Sequence, residues 1–116
     1  MGRLSTHVLD TSRGMPADGM RIELLRGTGS SARQVLSVTT NRDGRTDGPL
    51  LQGDELAAGA YQILFHVGEY FRAAGHPDAG RFLDVVPVSF VVDDPRGSYH
   101  VPLLVSPWSY STYRGS

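Results

Sequence analysis

Apolar and polar residues alternate one by one through much of this chain, and that period of two constrains the fold more than any other feature. Leu4, Thr6 and Val8 alternate with Arg3, Ser5, His7 and Leu9, and Met20, Ile22 and Leu24 with Arg21 and Glu23. Tyr61, Ile63, Phe65 and Val67 alternate with Gln62, Leu64 and His66. Successive side chains of an extended strand point to opposite faces, so each run reads as a half-buried strand. Val35 to Thr40, the set Val86, Val88, Phe90 and Val92, and the set Tyr99, Val101, Leu103 and Val105 continue the pattern. Between the runs lies turn chemistry. Asp10 to Gly19 is one such stretch, Asn41-Arg42-Asp43-Gly44-Arg45 with its Asp-Gly pair another, and Asp93 to Gly97 and Ser106 to Ser109 two more. Gly27 to Ser31 reads as a loop, Thr46 to Leu51 as a short edge or loop, and Asp54-Glu55-Leu56 as a brief helical turn. Tyr110 to Arg114 reads as the last strand. Glu69 to Ala74, closed by Gly75 and Pro77, is the one short helix. Seven or eight strands with turn signals about every 8–12 residues imply an all-β, antiparallel β-sandwich.

A chain of 116 residues supports a single domain, here 1–116, with one core. A net charge of −1 gives no reason to expect nucleic acid or an anionic membrane as partner. No apolar run approaches the ~20 residues of a membrane helix, and the N-terminal Met-Gly-Arg-Leu-Ser-Thr-His has no apolar leader core, so a cytoplasmic setting is expected. Cysteine is absent, which removes thiol nucleophiles, disulfides and thiolate metal sites. Every basic residue among the 11 is arginine, so no lysine can form a Schiff base or act as a general base.

His7 shares its strand face with Arg3 and Ser5, and His100 lies opposite Tyr99, Val101 and Leu103, so both occupy noncore faces. Taken singly, either histidine is an ordinary solvated residue; together, on the first and penultimate strands, they are a candidate pair. Spacing alone does not bring them together. Arg45 closes the Asp-Gly turn and, on its own, is a surface charge. Arg114 stands beside aromatics and calls for an anionic partner, and Tyr113 suits either sheet packing or hydrogen bonding to a ligand. His66, alternating with a core face, and His76, before Pro77, are bystanders. No His-x-His or His-x-x-x-His spacing supports a metal site, and no cofactor is called for. No Gly-x-Ser-x-Gly elbow or phosphate loop is present. Gly27-Thr-Gly-Ser-Ser lies between strands.

Two ends of the chain carry a resemblance. Tyr-His-Val-Pro-Leu-Leu from Tyr99, the Ser106-Pro107 pair, and Tyr-Ser-Thr-Tyr-Arg-Gly-Ser from Tyr110 resemble the C-terminal signature of the 5-hydroxyisourate hydrolases, the purine-catabolic branch of the transthyretin family. His7-Val8-Leu9-Asp10, Gly14, Pro16-Ala17 and Met20-Arg21-Ile22 look like that family's N-terminal pattern. Ser109 departs from it, standing where glycine is common. The resemblance implies a transthyretin-like sandwich with His7, Arg45 and His100 as catalytic residues and Tyr113, Arg114, Gly115 and Ser116 at the substrate. It also implies a homotetramer with sites between dimers, acting on 5-hydroxyisourate without metal or cofactor. A transthyretin-like carrier of a small ligand, without turnover, is the alternative. A generic immunoglobulin-like adhesion domain explains neither the paired histidines nor the tail.

Overall fold

The structure, a computed structural model, describes residues 1–116. In chain order the strands are β1 Arg3–Asp10, β2 Met15–Pro16, β3 Arg21–Arg26, β4 Arg33–Thr39, β5 Leu51–Gln52, β6 Gly59–His66, β7 Val85–Val92, β8 Ser98–Val105 and β9 Tyr110–Thr112. The single α-helix, α1, is Val67–Ala73. One sheet runs β2-β1-β8-β9, with β5 also pairing β1; the other runs β4-β3-β6-β7. Seven strands have three residues or more, as the alternation predicts. The other two are two-residue ladders against β1, set in stretches whose composition reads as turn and edge.

The alternation sorts side chains as expected. Leu4 and Val8 of β1, Ile22 and Leu24 of β3, Tyr61, Ile63 and Phe65 of β6, and Leu103 and Val105 of β8 meet in one buried cluster between the sheets. Burial of each such side chain contributes about 1.5–3 kcal/mol. Tyr61 keeps its polar tip satisfied within that core: its hydroxyl donates to the Ala57 carbonyl at 3.1 Å and accepts from the Ala57 N–H at 3.2 Å. Val67 belongs to the helix and not to the strand that precedes it; it is buried all the same, with Tyr70 and Phe71. Gly75, at φ 77°, takes the left-handed conformation that ends the helix. No helix is long and apolar enough to cross a membrane.

One ladder departs from antiparallel pairing. β1 and β8 run parallel and in register from Arg3↔Ser98 to Asp10↔Val105. Two whole strands from opposite ends of the sequence are thereby zipped together, and everything between them is a crossover of the kind a parallel pair requires.

The last strand is shorter than the sequence predicts, and Pro102 explains why. Its carbonyl is taken by the Thr112 hydroxyl at 2.7 Å, and it has no N–H to give. The β8–β9 ladder therefore stops at Leu103↔Thr112 and resumes only as a single bridge between His100 and Gly115.

Asp10 closes the far end of β1. Its carboxylate is fully buried and accepts from the Tyr70 hydroxyl at 2.8 Å, the Ser12 hydroxyl at 2.6 Å, and the backbone N–H groups of Ser12 and Arg13. Burial, followed by the hydrogen bond to Asp10, pushes the Tyr70 phenol up to about 12, so it stays a donor. This pair ties α1 to the first sheet. Asp10→Ala is expected to cost about 2–4 kcal/mol, because it strands the buried phenol and two turn amides. Urea unfolding measures this, and a loss below about 1 kcal/mol would mean that the turn re-forms without the carboxylate.

Candidate active site

The parallel register decides what faces what on the outer side of the first sheet. It sets Ser5 beside His100 and His7 beside Pro102. The Ser5 hydroxyl lies 2.8 Å from His100 Nδ1. His7 makes a different contact: its Nε2 donates to the Asp43 backbone carbonyl at 2.9 Å. A carbonyl has no proton to give, so this bond requires Nε2–H and leaves Nδ1 as the basic nitrogen of neutral His7.

Asp43 reaches His7 because the Asn41–Arg45 turn docks on β1. Asn41 Oδ1 accepts from the Asp43 and Arg45 N–H groups, and the Val8 N–H donates to the Gly44 carbonyl at 2.8 Å. Gly44 is buried at φ 73°, and any Cβ there would collide with the Val8 carbonyl. Glycine is therefore required for the turn to sit so close to the strand. The docking carries Arg45, an exposed residue, close enough for its charge to act on both histidines.

Burial, and then the Arg45 charge, hold both imidazoles below their ordinary 6.5. For His7 the Asp43 carbonyl and carboxylate pull the other way; for His100, His7 and Arg3 add to the depression. A cation beside an imidazole disfavours imidazolium, so both rings are neutral at pH 7. Arg45, Arg3 and Ser5 line one open groove of about 260 Å³. His100, Tyr113 and Arg114 border another of about 250 Å³, completed by β7 side chains such as Val88 and Phe90. Neither is enclosed. A neutral histidine pair under an arginine can take a proton from water and stabilise an oxygen that gains charge.

The tail lies close by, with contacts that differ from expectation. Arg114 makes no direct ion pair, although its charge, after the Tyr99 hydroxyl and backbone hydrogen bonds, helps to hold the Asp93 carboxyl below its ordinary range. Its guanidinium donates to the Ser98 carbonyl at 3.2 Å and stacks 4.4 Å over the ring of Tyr99, whose hydroxyl donates to Asp93 at 2.6 Å, so the direct contact is cation–π and the anion lies beyond it. Gly115 lies against a side chain: its N–H donates to the His100 carbonyl at 2.8 Å, and a Cβ on it would come within 2.5 Å of His100 Cδ2. Tyr113 is 61 % exposed, and Ser116 follows as an exposed residue.

The other two histidines stand apart. His66 bonds Glu23 at 2.8 Å and Arg21 at 3.2 Å on the second sheet, and His76 accepts from the Asp78 N–H. Three neighbours of the candidate pair escape sequence reading. Ser5 and Arg3 share His7's strand face, but only the parallel pairing sets them against His100. Asp43 holds His7 through its backbone carbonyl, which carries no residue-type signal.

Residues 4–115 match the family described as HIUase/Transthyretin. The 5-hydroxyisourate hydrolase 2 of Rhizobium meliloti (strain 1021) is 53 % identical over 99 % of this chain and 97 % of its own length. The crystal structure of an (S)-allantoin synthase superposes with TM-score 0.92 at 50 % identity over 99 % of this chain, which spans only 44 % of that longer one. The 5-hydroxyisourate hydrolase of Klebsiella pneumoniae superposes with TM-score 0.83 at 33 % identity, with each chain covered in full. Sequence and fold agree over nearly the whole length, and the chain belongs to the HIUase/transthyretin family.

Proposed function

We propose that this chain is a hydrolase that opens 5-hydroxyisourate to 2-oxo-4-hydroxy-4-carboxy-5-ureidoimidazoline in urate catabolism. The observation that carries the reading is the convergence of His7, His100 and Arg45 on one sheet face, in a chain about half identical to named 5-hydroxyisourate hydrolases. Water adds to the lactam-like carbonyl, the C–N bond breaks, and a proton passes to the departing nitrogen. One histidine of the pair takes the proton from the attacking water, and the other binds the ring or protonates that nitrogen. Arg45 supports the carbonyl oxygen as it gains charge. Tyr113, Arg114, Gly115 and Ser116 wall the ring.

The substrate is a small molecule, yet the grooves of one chain are open. A homotetramer with sites between facing dimers would enclose them. What supports this assembly is the position of the pair on an outer sheet face and not in a cavity. A carrier of the same fold would need no neutral base beside a cation, and turnover separates the two readings.

Generating 5-hydroxyisourate from urate in situ and following its decay is the direct test. Acceleration is expected at micromolar protein. His7→Ala and His100→Ala are each expected to cost about two to four orders of magnitude in kcat/KM. His66→Ala and His76→Ala should stay within about threefold. No acceleration by the wild type leaves the carrier.

Because both imidazoles titrate below 6.5, kcat/KM should hold steady at neutral pH. It should fall only when acid converts the base to imidazolium, at a midpoint below ~6.5. Arg45→Gln removes the cation and should shift that acid limb upward while lowering the rate. A profile that is flat from about pH 5 to 8 would rule out histidine as the base.

Deleting residues 114–116 removes the Gly115 bridge and the Arg114 stack but no residue of the buried cluster. Thermal unfolding is expected to stay close to wild type, within about 1–2 kcal/mol, while hydrolysis drops about tenfold or more. Wild-type turnover by the shortened chain would remove the tail from the site.

A further inference from the structure

The two histidines are tethered differently, and the difference bears on what each can do. His7 bonds a backbone carbonyl, which only accepts. His100 bonds the Ser5 hydroxyl, which can give or take. When Nδ1 is bare, the hydroxyl can donate to it; when Nδ1 carries a proton, the same oxygen can accept. The bond therefore survives a change of tautomer or charge through one rotation about the Ser5 Cβ–Oγ bond. A carbonyl in that place would have fixed a single tautomer, and a carboxylate would have favoured imidazolium.

The ring is also blocked on a second side. Gly115 approaches so closely that a Cβ would come within 2.5 Å of Cδ2, and its N–H holds the His100 carbonyl at 2.8 Å. Between them, Ser5 and Gly115 limit the swing of the imidazole, and Nε2 is left without a hydrogen-bond partner in the protein. The charged and titratable groups acting on the ring are Arg45 from the docked turn, and His7 and Arg3 from β1.

We propose that Ser5 is a positioning residue for His100: its hydroxyl holds Nδ1 through each protonation state, against the backbone of Gly115, so that Nε2 is the nitrogen presented to substrate. This rests on the hydrolase reading above. Half-buried and on the outer face of β1, Ser5 fills no core space, so its replacement tests position and not folding.

The experiment compares wild type, Ser5→Ala and Ser5→Thr as the full chain, by steady-state kinetics and by ¹⁵N spectra of the imidazole nitrogens. Ser5→Ala is expected to lower kcat about tenfold or more with little change in KM, the cost of a loosened reacting group. It should also move the His100 Nδ1 resonance and its titration while His7 stays in place. Ser5→Thr keeps the hydroxyl in a residue suited to a strand and should recover most of kcat and the His100 resonance. The proposal is overturned if His100 is spectroscopically unmoved in Ser5→Ala, or if kcat falls equally in the alanine and threonine variants. A wild type without turnover sinks the hydrolase reading instead, and the spectra, which need no substrate, still decide whether Ser5 holds His100.

Discussion

The parallel ladder between β1 and β8 is the constraint on which the site depends. It joins residues 95 positions apart in sequence and in doing so sets the two histidines on one face. A shift of one residue would turn His7 or His100 into the core and bring Val8 or Val101 to the surface, since strand faces alternate. Burial of Leu4, Val8, Leu103 and Val105 therefore fixes the site as firmly as it fixes the fold. The buried Thr6 hydroxyl adds a polar check on the register, donating to the Val101 carbonyl at 2.7 Å. The hydrophobic pattern supplies the energy, and the polar bond selects the alignment.

Electrostatics then finish what the register begins. Burial and the Arg45 charge hold these half-buried imidazoles further toward the neutral form than free histidine. The docked turn contributes twice. It brings the cation that disfavours imidazolium, and it brings the Asp43 carbonyl that orders the His7 ring. Both follow from the single glycine at position 44, whose missing Cβ lets the turn lie against Val8. A surface loop becomes a fixed wall because one residue there has no side chain.

Much of this was legible in the residues, for identifiable reasons. Alternation sorted nearly every strand side chain correctly, because the core accepts only one face of each strand. It could not say which strands neighbour one another, so the Ser5–His100 contact was invisible although both residues were placed on noncore faces. The short β9 was readable in principle, since Pro102 lacks an N–H, but only to a reader who knew which side of β8 the tail would occupy. The direct partner of Arg114 escapes the sequence for a related reason. Only the packing of the tail on β8 puts the guanidinium on the face of Tyr99, with the Asp93 anion reached across that ring. The resemblance of the two termini supplied the grouping of His7, Arg45 and His100, which no local pattern contains.

The β1–β8 pairing has a further consequence in time. In the second sheet β3 and β4 can pair early, but β6 gains β7 only once residues 85–92 have been made, shortly before β8. β1 has to wait for β8. At ordinary elongation rates of about 5–20 residues per second, the wait is on the order of 5–20 s. Through that interval β1 carries an unpaired apolar edge, the kind of surface that draws other chains. Arg3 at its start and the charged Asp10 at its end suit such exposure, for charges at a strand edge discourage stray pairing. The two sheets, and with them the place for substrate, therefore close together as residues 85–105 appear.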